Sequence, residues 1–457
     1  MNSIFSGTTG MNFSAQEIRA LTKLTLPILA TQLAQIGMGT VDTLMSGHVS
    51  TRDLAAVAIG TSLWLPVWLF LAGVLVALSP LAAAFNSGRR QQELPQLLSA
   101  ALWCGIALGL VSTLLLVAGA LLLPVWIDDP ETGRIASQYT LAIAAGMPAA
   151  GIFLAYRFYA EALNQPGHVT RIMLSGLIMN VPVNMIFIDG LFGLPALGGV
   201  GCGIGSSIVF TGMAIALARN TRKHRIPAGY NIWAEVLKPR FQAIKDILRI
   251  GIPIGIAIFF EVSLFTVIAL FLTSLGPVIV AGHQVALNLS SLTFMIPLSL
   301  GMAMTVRVSH HLGSGNALLA QRTAWLGVKL NLGVALFNAT AMVLLAGIIA
   351  RFYSPDPQVV AVAAALLMYA AVFQLSDAVQ IAAAGALRAY HDTFMVMVIT
   401  FIAYWLVGLG VGYWLAFKAP TPYGAEGFWT GLILGLTTAA ILLTIRLRRV
   451  GRTAVAA

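Results

Sequence analysis

Leu97–Leu123, LLSAALWCGIALGLVSTLLLVAGALLL, runs 27 residues without a charged side chain. About 20 helical residues cross the ~30 Å hydrocarbon core of a bilayer, so this run reads as a membrane-spanning helix. Working outward, about twelve such runs follow one another, near Leu21–Met45, Leu54–Ser79, Leu97–Leu123, Gln138–Ala160, Val169–Phe192, Leu197–Ala218, Ile247–Thr273, Pro277–Thr305, Thr323–Ala350, Val359–Gly385, Phe394–Phe417 and Ala425–Ile445. Ser14–Glu17 ahead of Ile18 and Leu21 has the spacing of a capping box, which places a helix start there. The fold class is therefore an all-α polytopic membrane protein.

Composition agrees. Of the 457 residues, 58% are hydrophobic and only 9% charged, against about 25% charged in a soluble domain. The mean hydropathy of +0.88 excludes a water-soluble fold. Because 26 basic residues face only 16 acidic ones, a nucleic-acid partner would be the usual thought for a soluble chain. In a membrane protein the same excess records orientation instead, and no nucleic acid is expected. With a cytoplasmic N-terminus, Arg89, Arg90, Arg157, Arg171, the cluster Arg219 to Arg249, Arg307, Arg322, Arg388 and the tail arginines fall inside. Only Arg52, Arg134, Arg351 and Lys418 then lie outside. Both termini are thus expected in the cytoplasm. Cys104 and Cys202 sit in separate apolar runs without ligand spacing, so neither a disulfide nor a thiolate metal site is indicated.

The longest polar stretch, Asn220 to Asp246, contains Pro227, Gly229 and Pro239 and reads as a linker. It divides the chain into an N-lobe (1–220, spans 1–6), a cytoplasmic linker (221–246) and a C-lobe (247–457, spans 7–12). Sliding the chain by about 226 positions aligns LTLPI ending at Ile28 with IGIPI ending at Ile254, and LAAVAIG from Leu54 with VAGHQVA from Val280. EALNQPGHV from Glu161 likewise meets GALRAYHDT from Gly385, and GGVGCG from Gly198 meets GAEGFW from Gly424. Six spans per half make this a parallel repeat about a pseudo-two-fold axis along the membrane normal, as in alternating-access transporters.

A carboxylate near the bilayer centre costs about 2.5–3.5 kcal/mol even on the lenient insertion scale. Three qualify: Glu261 in FFEVSLF, Asp377 in FQLSDAVQ and Asp42 in MGTVDTLM. No Lys or Arg lies within those short segments, and Lys329 is the cation expected inside a span. Glu261 and Asp377 could share a proton or hold a sodium ion, and an organic cation could replace either, which is the logic of antiport. Structural carboxylic acids, neutral and hydrogen-bonded, are the plainer alternative. Asn180 and Asn184, four apart about Pro182, share a helix face and could complete a pocket with Asp42 or serve as interhelical glue. Gln35, which the repeat sets against Glu261, offers with Ser62, His283 and Gln284 neutral polar contacts. Phe260, Phe265, Phe294 and Phe373 could wall an organic cation or simply pack. Asp356 in YSPDP would attract cations or cap the next helix.

The blocks LTLPILATQLAQIGMGTVDTLMSG, LGGVGCGIGSSIV, FFEVSLF, AGHQVALNLSSLTFMIPLS, FQLSDAVQIAAAGALRAY and GFWTGLILGLT resemble the multidrug and toxic compound extrusion (MATE) transporters, in their NorM-like bacterial branch. The resemblance runs over nearly all the chain. It implies a two-lobed antiporter of the bacterial inner membrane, monomeric, that exports cationic amphipathic drugs and dyes against protons or sodium ions. Glu261 and Asp377 match the family's C-lobe cation carboxylates, and also its metal ligands if the ion is sodium. Asp42 matches the N-lobe acid, with Asn180 and Asn184 beside it. Gln35, Ser62, Phe265, Gln284 and Asp356 match drug-pathway positions, to which Phe294 and Phe373 add aromatic walls. The chain departs from its relatives at Phe373, often tyrosine, and at Asn184, sometimes aspartate. Fewer oxygen ligands tilt the expectation toward protons.

Two other functions were weighed against the sequence. An intramembrane hydrolase needs a motif such as GxGD or HExxH, and neither occurs. A lipid-linked oligosaccharide flippase of the wider superfamily would favour a cationic cleft, whereas these buried groups are acidic. No GxxxxGKS loop is present, so no nucleotide cofactor is expected and the driving force is an ion gradient.

Overall fold

The computed structural model describes residues 7–224 and 240–456, and every regular element among them is helical. In chain order these are α1 (Gly7–Val49), α2 (Thr51–Leu75), α3 (Leu78–Ser87), α4 (Leu94–Trp126), α5 (Pro130–Ala145), α6 (Met147–Ala162), α7 (Pro166–Ile188) and α8 (Gly199–His224). They continue with α9 (Phe241–Leu272), α10 (Pro277–Gly313), α11 (Ala317–Tyr353), α12 (Pro357–Ala389), α13 (Thr393–Lys418) and α14 (Gly424–Ala456). Eleven helices or helix runs are long and apolar enough to cross a membrane, with α2 and α3 forming one of them. The pair α5 and α6, bent by 45° at Gly146, makes the twelfth. The expected continuous run Gln138–Ala160 is therefore a broken span. The break falls where Gly146 precedes Met147 and Pro148, because proline cannot donate to the preceding turn.

Large apolar side chains on the outer faces stay exposed, among them Val125, Leu114, Phe337 and Leu344. Such faces are tolerable only against lipid, which leaves the helix–helix contacts to be made by small residues and buried polar groups.

Residues 225–239 of the expected linker lie outside the described residues. By their contacts the described residues form two compact units. One contains Pro27–Gly255. The other contains the residues up to Leu26 together with Ile256–Ala457. Both boundaries fall within three residues of the repeat-related prolines Pro27 and Pro253. Long helices thus change their packing partners near a proline.

The expected helix start at Ser14 is corrected: α1 is already helical from Gly7, so Ser14 is not its cap. Glu17 has another task. Buried at 4% exposure, it accepts from Arg307 (Nε at 3.3 Å) and lies 3.2 Å from His311 Nε2 and 3.5 Å from Thr323 Oγ1. It thereby ties the first turns of α1 to α10 and α11. Outside the spans, Asp129 caps α5. Its Oδ2 accepts from Thr132 Oγ1 at 2.6 Å, which holds its carboxyl below the usual carboxylate range.

One of the close helix contacts is α13 on α14. A Cβ on Gly435 would stand 2.7 Å from Ala403 O and 2.9 Å from Gly408 Cα, and one on Gly431 would overlap Gly408 O. Gly435→Val therefore forces the two helices apart and is expected to cost about 1–3 kcal/mol of stability, read as earlier thermal unfolding of the detergent-solubilised protein. Gly333→Val, at a position where a Cβ meets nothing within 4 Å, is the comparison expected to unfold as the parent does.

Candidate functional site

In the unit of Pro27–Gly255, helical spacing puts Asn180 and Asn184 on one fully buried face of α7, while Pro182 points to the exposed face. Asp42 comes to this face from α1. Asn184 Nδ2 donates to Asp42 Oδ1 at 2.6 Å, and Ser206 Oγ of α8 donates to Oδ2 at 2.8 Å. Asn184 Nδ2 also lies 3.4 Å from Asn180 Oδ1. Asn180 Nδ2 and Asn184 Oδ1 have no protein partner among the described residues. The α8 backbone reaches this depth because residue 205 is glycine, where any Cβ would collide with Asn184 Oδ1. Ser206 escaped the sequence reading; the small-residue run GGVGCGIGSS, which signals close helix approach, was the available hint.

The same unit holds a second polar node. Arg157, 3% exposed, and Glu161, 1% exposed, form a buried ion pair within α6, Nε to Oε1 3.0 Å. Arg157 Nη1 donates to Gln35 Oε1 at 3.2 Å, and Nη2 donates to Gln32. One expectation is corrected here: Arg157 is not a loop residue but belongs to α6. Gln35 is bound to this arginine within its own unit. Arg157 and Glu161 were missed because they close the apolar run and read as interfacial charge, and Gln32 because a neutral amide inside a run carries no charge to flag it.

In the other unit, α9 supplies Glu261, α12 supplies Asp377, Gln380 and Arg388, and α13 supplies Tyr404. Glu261 interacts electrostatically with both Asp377 and Arg388, and Tyr404 interacts electrostatically with all three. Gln380 Nε2 lies 3.5 Å from Asp377 Oδ1. The Nε of Arg388 is shut off from solvent without a hydrogen-bond partner. The structure therefore brings Glu261 and Asp377 together, and it corrects the reading of Lys329 as the intramembrane cation: Lys329 is exposed on α11, and Arg388 takes that role. Helix α12 stays helical past the apolar run to Ala389, which is why Arg388 read as a loop cation.

A cavity of about 10 Å³, room for one water molecule, is lined by Glu261, Phe265 and Tyr404 with Gly408, Leu432 and Gly435. Phe373 packs edge-on against Phe265 at 6.2 Å and Trp429 at 5.8 Å. Trp429 Nε1 donates to His283 Nδ1 at 3.2 Å, so buried His283 is an interhelical acceptor. Phe260 packs at a tilt against Phe401, and Phe294 is half-buried on α10. Ser62 and Gln284 are exposed, and Ser62 is turned back onto its own helix at Ala58 O. Exposed Asp356 caps α12, accepting from Gln358 N at 2.9 Å. Among the described residues no three His, Cys, Asp or Glu side chains gather as a metal site would require.

Charge counting shows what the clusters can do. With both carboxylates ionised, Glu261 and Asp377 exceed Arg388 by one negative charge, and Asp42 has only neutral donors. The Arg157–Glu161 node is balanced. Each excess is neutralised by a single proton or monovalent cation.

A profile of the MatE family matches residues 27–186 and again 253–414, segments whose starts lie 226 positions apart, the spacing of the repeat. Over 441 residues the chain is 42% identical to a probable multidrug resistance protein NorM of Shewanella oneidensis, covering 96% of each. The fold is similar to the bent form of the Vibrio cholerae MATE transporter VcmN, with a TM-score of 0.85 at 16% identity, over 97% of this chain and 99% of that one. It is equally similar, with a TM-score of 0.85 at 19% identity over 96% of each, to a MOP superfamily transporter from Pyrococcus furiosus whose reversed pocket polarity suggests a different function. At such identities these structures speak for the fold alone.

Removing one partner of a buried ion pair leaves an uncompensated charge, at a cost of about 3–5 kcal/mol, whereas replacing both with apolar residues is often neutral. Arg157→Met is thus expected to unfold well below the parent, and Arg157→Met with Glu161→Leu close to it, in thermal unfolding of the purified protein.

Proposed function

The chain belongs to the MatE family of MATE transporters, and from that premise we propose that it is a multidrug efflux antiporter of the bacterial inner membrane. It expels cationic, amphipathic drugs and dyes in exchange for protons or sodium ions by alternating access, as a monomer with both termini in the cytoplasm. It is not an enzyme and needs no cofactor.

One observation carries this reading: two buried carboxylates interact with each other, only Glu261 of them has an arginine partner, and Glu261 lines a cavity the size of one water molecule. Such a cluster cannot stay both ionised and empty in a low-dielectric interior, because one negative charge would be left without a partner. It therefore alternates between two neutral states. In one, a proton or a sodium ion occupies it. In the other, the positive charge of the drug balances it. Glu261, half-buried, is the accessible member and takes the incoming ion, while Asp377 and Gln380 complete the oxygen set. Phe265 and Phe373 give the organic cation an apolar and cation–π surface. Asp42, held by Asn184 and Ser206, is the second exchangeable carboxylate. The ion gradient drives the cycle, since one charge moving inward across 100 mV releases about 2.3 kcal/mol.

Purified protein in liposomes, loaded with a fluorescent organic cation, tests the proposal. Efflux is expected under an imposed proton or sodium gradient and is expected to be abolished by Glu261→Gln and by Asp377→Asn. Absence of efflux under either gradient, with both variants indistinguishable from the parent, overturns carboxylate exchange and moves the weight to the flippase alternative.

A further inference from the structure

Helix α13 is not uniformly α-helical. Ile402–Leu409 and Trp414–Lys418 are wound as π-helix, and Ala419 N reaches back five residues to Trp414 O at 2.9 Å. Wide turns of this kind forfeit good backbone geometry, persist only where tertiary packing holds them, and gather at functional sites. Here the packing is the glycine contact of Gly408 and Ala403 with Gly431 and Gly435. Carried on the first π stretch, Tyr404 is 2% exposed and lines the same small cavity as Glu261. Its hydroxyl forms no hydrogen bond of good geometry with the protein, although Gln380 stands alongside. A buried phenol is ordinarily hydrogen-bonded, and leaving one without a partner is costly. An occupant of the cavity would satisfy it.

We propose that Tyr404 is a specificity-determining residue of the coupling-ion site: its hydroxyl and the Glu261 carboxylate together bind the one small occupant of the cavity, a sodium ion or the water through which a proton arrives. This rests on the reading of Glu261 as a coupling carboxylate and adds the donor that distinguishes one small cation from another. The groups facing the cavity are few. Helix α9 brings Glu261, Leu264 and Phe265, α13 brings Tyr404 and Gly408, and α14 brings only Leu432, Gly435 and Leu436, while Asp377 and Arg388 of α12 act on Glu261 and Tyr404 electrostatically from beyond that lining. Apart from Gln380, Tyr404 is therefore the neutral oxygen donor that the surrounding helices supply to these charges. The π winding matters because a one-residue change of register would carry the phenol by roughly 100° around the helix and out of the cavity.

Tyr404→Phe removes one oxygen and keeps the ring. In liposomes, the coupling-ion concentration giving half-maximal efflux is expected to change about fivefold, the worth of one hydrogen bond. A rise marks the hydroxyl as an ion ligand, and a fall marks it as a donor to the ionised carboxylate. The drug concentration for half-maximal efflux and the unfolding temperature are expected to stay as in the parent. Tyr413→Phe, which removes an outward-facing hydroxyl from the same helix, is expected to change nothing. If Tyr404→Phe keeps the parent's ion dependence while Glu261→Gln is inactive, this proposal fails and the antiport reading stands. If Glu261→Gln transports normally, the antiport reading fails first. Should Tyr404→Phe unfold early, binding of radioactive sodium to its folded fraction decides between sodium affinity lowered about fivefold, as proposed, and the parent's affinity, which overturns a role as ion ligand.

Discussion

An unpaired charge is intolerable in a low-dielectric interior, and this constraint organises the buried polar groups of both units. Three solutions occur. Glu17 is surrounded by Arg307, His311 and Thr323, with charge and hydrogen bonds both met, and the contact is structural: it fastens the first turns of α1. Arg157 and Glu161 neutralise each other one turn apart, with Gln32 and Gln35 taking the remaining guanidinium donors. Glu261, Asp377 and Arg388 do not balance. Under the proposed exchange, only an unbalanced group, this cluster or Asp42 with its neutral partners, has a reason to take up an ion, because there occupancy changes the net charge of the site.

The internal repeat sharpens the contrast. Gln35 and Glu261 are corresponding positions, and in both units the residue there stands against an arginine. In the unit of Pro27–Gly255, the countercharge has been placed on the arginine's own helix at i+4, so position 35 is a neutral amide and the node is closed. In the other unit, position 261 keeps the carboxylate, and Asp377 adds a second. A buried pair complete in itself gains nothing from an incoming cation, whereas an over-supplied arginine leaves one carboxylate for it. Under the proposed exchange, the carboxylate of the former unit left without a countercharge is Asp42, whose partners, Asn184 and Ser206, are neutral. Duplication thus gave two scaffolds with different charge arithmetic at equivalent places.

The spans and the three carboxylates were legible in the sequence for the same reason. An apolar run of about 20 residues has few other readings, and an acid inside such a run demands an explanation. What escaped sits at the ends of the runs. Arg157 and Arg388 lie where the hydropathy falls, which is also where loop cations lie, and only the continuation of α6 and α12 as helix buries them. The bend at Gly146 was equally hidden, since the run Gln138–Ala160 is apolar throughout and a break costs it no hydropathy. Ser206 is a small residue among glycines, indistinguishable in one dimension from packing. Ser14–Glu17 misled in the opposite way: the spacing of a capping box is met, but Glu17 finds a better partner in Arg307 across the unit.

Tyr404 was illegible for a deeper reason, and it bears on how the unbalanced cluster can work at all. An α-helical reading assigns residue faces at 100° each, so a π stretch rotates every later side chain away from its expected face. That stretch is stable only because Gly408, Gly431 and Gly435 let two backbones touch; the contact energy of α13 on α14 is what holds a phenol beside Glu261. Ion occupancy and helix winding are then coupled in one direction by physics alone. An occupant that bonds the Tyr404 hydroxyl stabilises the π register, and an empty cavity leaves an unsatisfied buried hydroxyl that favours any winding in which it finds a partner. An exchanger of the kind proposed needs its site to differ in structure between its loaded and unloaded forms, and in this unit that difference can be generated beside Glu261.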